Sequence, residues 1–218
     1  MKESKMFKVK GILFPVLIGL LFVGSAPAEK KFVEGKHFEK LSPSVPTSTP
    51  LGKIEVLEFF WYGCPHCFEF EIHVAKWLEN KKHYVSFARV PAVFSENWLV
   101  HAKAFYAAAE LGIIEKSHFA LFESLHVKRE KLFTETDISK FFIGLGKEES
   151  LVQKSLNSFA TANRAQRAQS LTKKVGISGV PSMVIDGKYR SSARLAGGYD
   201  NLLEVVDFLA EKEHRNLD

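Results

Sequence analysis

Cysteine is nearly absent: the 218 residues hold two, Cys64 and Cys67, and no third thiol with which either could pair. That excludes a framework of bridges between distant segments, the usual device of small exported domains. It also leaves zinc short, because zinc takes four ligands and the chain has neither a second CxxC nor an HxxxH. No internal repeat and no low-complexity tract is present, so a solenoid and a disordered chain are both excluded. An excess of one charge sign is missing too. Of five net positive charges three fall in residues 1–28, from four lysines against one glutamate, which leaves about +2 for the rest. Such a balance gives no case for nucleic-acid binding. Long apolar runs are also lacking: Gly11 to Val23 is too short for a comfortable membrane span.

What the N-terminus does have is the layout of an export signal. Lys2, Lys5, Lys8 and Lys10 precede that apolar run, and Ala26-Pro27-Ala28 offers small residues for cleavage. Residues 1–28 therefore read as a signal peptide cut after Ala28, with an uncleaved anchor as the alternative. Export and cysteine usage constrain each other. Outside the reducing cytosol the two thiols will bridge, yet the ring they close is tiny. Loop-closure entropy grows with ring size, so this bridge is a poor staple. Reactivity is the better reason for it to exist.

Along the chain, residues 32–41 can hold a short strand, and Ser42 to Pro50 reads as an extended connector. Lys53 to Tyr62 is a near-continuous apolar run of strand formers, the pattern of a strand covered on both faces. Gly63 ends it, and Pro65 suits the first turn of a helix running to about Asn80. His83 to Val90 alternates as a second strand. From Ser95 to about Val175 the pattern is helical throughout. Ser95 and Thr134 or Thr136 stand as caps, and Lys147 to Val175 reads as one alanine-rich stretch. Strands return at Pro181 to Ile185 and near Tyr189, joined by the two-residue turn Asp186-Gly187. A helix over Asn201 to about Lys212 closes the chain. The skeleton is βαβ, a helical block, then ββα. The fold class is α/β, with residues 29–92 and 177–218 forming one sheet-based domain and 93–176 inserted as helices.

Cys64-Pro65-His66-Cys67 lies at the first strand–helix junction. A thiol at a helix N-terminus sees unpaired N–H groups and the positive end of the helix dipole, both of which favour the thiolate. Cys64 is thus the candidate nucleophile, and His66 can add positive charge within the same turn. Three residues along a helix, Cys67 returns to nearly the same face, within reach of a disulfide, as the resolving thiol. Pro65 starts the helix. Glu58 stands inside an apolar strand, where a carboxylate is costly unless paired or neutral. It is either an exposed edge residue or a proton acceptor and donor beneath Cys67. Trp61 and Tyr62 are core residues or contacts for substrate. The other histidines, His37, His73, His83, His101, His118, His126 and His214, read as ordinary polar positions.

The skeleton with CxxC at this junction resembles the thioredoxin fold. The run from Val56 to Cys67 (VLEFFWYGCPHC), with Gly179-Val180-Pro181 and Arg89-Val90-Pro91, is similar to the DsbA family of bacterial periplasmic thiol oxidases, which carry a helical domain inside a thioredoxin fold. The likeness covers nearly all of the chain after residue 28. It implies that Pro65 and His66 set the redox poise and that Pro181 is cis. It also implies that Val180 meets an extended substrate segment by strand addition. Gly63, Val180, Pro181 and the loop from Arg190 to Gly198 would then line the substrate groove. A stabilised thiolate makes the disulfide a strong oxidant, an effect for which DsbA is itself the standard example.

The resemblance implies a monomeric dithiol oxidase in the periplasm. It would act on reduced, unfolded exported proteins and be reoxidised by a membrane quinone reductase of the DsbB type. No metal or organic cofactor is called for. A disulfide isomerase or reductase is the nearest rival, although residues 29–52 are too short and proline-rich for the separate dimerisation domain such isomerases carry. An exported chaperone or binding protein with an incidental bridge is the rival from another class.

Overall fold

The computed structural model describes Met1, Glu3 and residues 32–217; the expected signal peptide lies outside the described residues. The strands are β1 (Glu39–Lys40), β2 (Ile54–Phe60), β3 (Val85–Pro91), β4 (Ser182–Ile185) and β5 (Tyr189–Ser192). They form one sheet in the order β1-β5-β4-β2-β3. β2 and β3 run parallel, which requires a crossover, and α1 (Pro65–Asn80) supplies it. β4 returns antiparallel to β2, and β5 and β1 continue antiparallel. All seven residues of β2 are buried, as expected for a central strand covered on both faces.

The period of two divides β2 between two layers. Ile54 and Val56 pack with Phe70 and Val74 of α1 and with Leu202, Val205, Val206 and Leu209 of α8 (Tyr199–Arg215). Leu57 and Phe59 face the other way, against Val90, Ala168, Val175 and Ile177. Phe60, at the C-terminal end of β2, instead joins the core of the helical block with Leu121, Phe122, Ile138 and Phe142. That block is α2 (Glu96–Glu110), α3 (Ile114–His126), α4 (Glu135–Gly144), α5 (Glu149–Leu156) and α6 (Phe159–Lys174), all between β3 and β4 in sequence. This is a thioredoxin fold with a helical insertion.

Three local expectations change. The stretch from Lys147 to Val175 is two helices, not one. Asn157 ends α5, and the Ser158 hydroxyl accepts from the Thr161 N–H at 3.0 Å to start α6. A serine hydroxyl competes with backbone hydrogen bonding inside a helix and favours an N-cap, the role Ser158 takes here. Ser95 has the extended backbone of an N-cap, but its side chain makes no capping bond. Thr134 does cap α4, in a reciprocal box with Asp137. Third, α7 (Ala193–Ala196) occupies what reads from sequence as a loop.

The β4–β5 turn is built as its residues demand: Asp186 and Gly187 both take positive φ, 51° and 59°. A Cβ on Gly187 would stand 2.0 Å from the Val45 carbonyl oxygen. Gly187→Ala should therefore lower stability by about 1–3 kcal/mol, through strain and a backbone clash together. Urea unfolding of the variant checks this.

Candidate active site

The junction between β2 and α1 places two sulfurs in different surroundings. Cys64 is the N-cap of α1, with extended backbone (φ −92°, ψ 116°), and Pro65 is the first helical residue. The Cys64 carbonyl accepts from the N–H groups of Cys67 and Phe68, each at 3.1 Å. One turn of helix then carries Cys67 inward, where it is fully buried, while Cys64 remains 8% exposed. Both are free thiols. The Cys64 thiol points at the Val180 carbonyl oxygen, 3.6 Å away, and the Val180–Pro181 peptide is cis.

The electrostatics split the pair. The Cys64 thiol falls from the ordinary 9.0 to about 6. The largest cause is the hydrogen bond from the Cys67 thiol, opposed by burial. The N–H groups of Cys67 and His66 follow, and the His66 charge contributes least of the causes named. Cys67 is pushed far the other way by burial, by its bond to Cys64 and by the Cys64 charge. His66 is thus not the main source of thiolate stabilisation. Its side chain is 70% exposed, with Nδ1 3.5 Å from Glu69 Oε2. The Tyr199 hydroxyl donates to the same carboxylate at 2.9 Å.

Below the pair lies a largely buried cluster of charge. Glu58 and Arg89 are register partners on the parallel strands β2 and β3, so their side chains share the face covered by α1. From α1, Glu71 enters the same space. Arg89 donates twice to Glu71, from Nε at 3.2 Å and from Nη2 at 2.8 Å. Its Nε also lies 3.2 Å from Glu58 Oε2, but neither Glu58 oxygen has a hydrogen-bond partner. Glu58 is completely buried, so the edge-strand reading fails. Its carboxyl is raised to about 8 by burial first and by the Glu71 charge second, with Arg89 offsetting part. Cys67 feels the Glu58 charge.

Sequence reasoning missed Glu71 and placed His118 and His101 as ordinary polar positions. Both histidines are buried. His118 lies between Glu71 Oε1 and the Tyr62 hydroxyl, 2.9 Å from each. His101 Nε2 donates to the Leu132 carbonyl at 2.8 Å. His126 Nε2 donates to the Tyr62 carbonyl at 2.7 Å. One signal was available: a buried Glu58 needs a cation, and Arg89 is the one charged residue of its strand.

Beside Cys64 opens a cleft of about 440 Å³, walled by His66, Val180, Pro181, Arg194 and Tyr199 among others. Val180 and Pro181, expected to meet substrate, are part of this wall; Gly63, expected beside them, is not, and a Cβ there would fall 2.4 Å from the Trp61 ring. Trp61 in turn stacks on Trp98, with centroids 4.2 Å apart. Of the expected loop, Ser192, Ala193, Arg194 and Gly198 border the cleft, whereas Arg190 turns away to Glu39, 2.7 Å off. Among the described residues no group of three or more His, Cys, Asp or Glu is placed to hold a metal.

A dithiol at the first strand–helix junction, facing a cis-proline loop, defines a thiol–disulfide oxidoreductase of the thioredoxin fold. Residues 55–209 match the DSBA-like thioredoxin domain. The thiol:disulfide interchange protein DsbA of Pseudomonas aeruginosa is 38% identical over 202 residues, which span 93% of this chain and 95% of that protein. Its namesake from Azotobacter vinelandii is 39% identical over 86% of each chain. The crystal structure of Pseudomonas aeruginosa DsbA superposes with a TM-score of 0.80 at 39% identity, covering 85% of this chain and 96% of that one. The Xylella fastidiosa DsbA structure gives 0.78 at 30% identity, covering 84% and 98%. The chain belongs to the DsbA family.

Two predictions rest on this geometry. Cys67→Ala should raise the Cys64 titration midpoint by about one pH unit, and His66→Ala by less than about half a unit. Ultraviolet thiolate absorbance of the reduced variants reads both. The second concerns Glu58. An acid held protonated by folding weakens the fold wherever the unfolded chain ionises, so the cost starts above 4.5 and levels off above about 8. Glu58→Gln should stabilise the reduced protein by on the order of 2 kcal/mol near pH 7 and have little effect near pH 4, as urea unfolding across pH would show.

Proposed function

We propose that this protein is a periplasmic dithiol oxidase, which donates a Cys64–Cys67 disulfide to reduced, unfolded exported proteins. The observation that carries this reading is the unequal placement of the two thiols, Cys64 at the N-cap of α1 and 8% exposed, Cys67 fully buried one turn on, which displaces their proton affinities in opposite directions. Cys64 is lowered to about 6, and Cys67 is pushed far above the ordinary range. Cys64 is therefore the sulfur that leaves easily, and Cys67 is the one that binds its proton firmly.

The cycle follows from that asymmetry. A substrate thiolate attacks Cys64 Sγ of the oxidised pair. The S–S bond breaks and its electron pair passes to Cys67, which takes a proton from Glu58, neutral below about 8. A second substrate thiolate then attacks the substrate sulfur of the mixed disulfide. The substrate leaves oxidised, and Cys64 leaves as a thiolate stabilised by the Cys67 thiol and the first N–H groups of α1. Val180 and Pro181 border the cleft where an extended substrate strand would pair. His66 stands at the mouth, and Pro65 fixes the start of the helix. The working unit is a monomer of a thioredoxin-like domain (29–92 and 177–218) with the helical domain 93–176 inserted. A membrane quinone reductase of the DsbB type restores the disulfide. The signal peptide delivers the chain to the periplasm. No helix of the described residues is long and apolar enough to cross a membrane.

The test is redox equilibrium with glutathione, together with unfolding of both redox forms. The pair should stay largely reduced at a poise that leaves structural disulfides closed. The reduced form should be the more stable at neutral pH. Because the Cys64 value is depressed on folding, thiolate stabilisation is full above 9.0 and is lost as pH falls through about 6. The stability gap should close over that range. An oxidised form more stable than the reduced one would overturn the oxidase reading.

A further inference from the structure

Two buried carboxylates compete for one guanidinium, itself 17% exposed. Glu58 is fully buried and Glu71 is 1% exposed. Arg89 can neutralise one of them well and not both. Arg89 Nε is 3.2 Å from an oxygen of each, but Nη2 adds a bond at 2.8 Å to Glu71 alone. A third party from the helical insertion widens that difference. His118, on α3, approaches Glu71 Oε1 at 2.9 Å through Nε2 and receives the Tyr62 hydroxyl at 2.9 Å on Nδ1.

With Glu71 ionised and the ring neutral, one assignment of roles fits that chain. An ionised carboxylate only accepts, so Nε2 must carry the proton. Nδ1 is then the acceptor, and the phenol donates to it. The groups around His118 agree with a neutral ring. From α1 comes Glu71, from β3 Arg89, from the β2–α1 turn Tyr62, and from its own helix Glu115; burial outweighs the attraction of the carboxylates and lowers the imidazole. The remaining wall is aromatic, from Phe60, Phe105, Phe119 and Phe122. Tyr62 is raised well above its ordinary value and stays protonated.

We infer that His118 is a positioning residue that decides which buried carboxyl keeps the proton: by donating to Glu71 it holds Glu71 ionised on Arg89 and leaves the proton on Glu58, beneath Cys67. The helical insertion thereby reaches into the resolving end of the dithiol site without touching a reacting atom. Glu71 has three donated hydrogen bonds and Glu58 has none. Taking away the His118 donor narrows that difference, and the shared proton spreads toward Glu71. Its consequence for the reaction rests on the oxidase reading, because Glu58 is the proton source for Cys67 only there.

The experiment measures protonation without turnover, so it stands apart from that reading. The reduced mature protein carries ¹³C-carboxyl glutamate and ¹⁵N-histidine, and Glu58 and Glu71 are titrated by NMR. In the unaltered protein Glu58 should titrate near 8, with Glu71 ionised across its range and the His118 proton on Nε2. In His118→Leu the Glu58 midpoint should fall by about one pH unit, tenfold in proton affinity, and that of Glu71 should rise. In His118→Gln, whose amide can still donate, most of the shift should be restored. An unmoved Glu58 midpoint in a folded Leu variant, or equal shifts in Leu and Gln, would overturn the inference. If the Leu variant fails to fold, the unaltered protein still decides: a His118 proton on Nδ1, or a Glu71 that titrates together with Glu58, overturns it. Loss of peptide oxidation with these titrations intact would count against the oxidase reading and not against His118.

Discussion

One turn of α-helix separates a sulfur still partly open to solvent from a sulfur that meets no water, and the rest of the site depends on that separation. The N-cap position leaves Cys64 beside the N–H groups of His66 and Cys67 and the Val180 carbonyl. Cys67, three residues on, is in the core with Phe60, Tyr62 and Phe122. Identical side chains thus acquire opposite proton affinities with no metal or cofactor needed to explain it. The helix also holds the sulfurs close enough for each to act on the other. The largest single contribution to the Cys64 thiolate is the Cys67 thiol itself.

In the proposed cycle the buried Cys67 thiol needs a proton carrier within the core, and Glu58 is the candidate. Its position follows from β2 and β3 running parallel in register, which sets it opposite Arg89. An isolated carboxylate there would be very costly, and a fully paired one would be a poor proton donor. The arrangement found is between these limits. Arg89 is close enough to hold Glu58 in the accessible range and is mainly committed to Glu71. The helical insertion takes part in this balance through His118, so it does more than cover the sheet end.

Much of this was legible residue by residue. The unbroken apolar run of β2 announced a covered strand, Pro65 announced the helix start, and Asp186-Gly187 announced the hairpin. Each is a local signal, fixed by dihedral preference or by period. Two thiols with no other partner announced their own reactivity. The errors were of another kind. Glu71 and His118 lie on helices whose pattern is apolar on one side, and nothing local distinguishes a buried acid from one at the edge of that stripe.

Readable in the residue order alone are the CxxC pair, the order of the strands and of most helices, and the place of the first cysteine at a helix N-terminus, because all of these follow from neighbours within a few residues. The strength and sign of the electrostatics come from the folded arrangement. Glu58, Glu71, Arg89 and His118 come from four separate elements, β2, α1, β3 and α3. The energy of a buried charge depends on what surrounds it in space and on the water it has lost. Neither quantity is written in the order of residues along the chain.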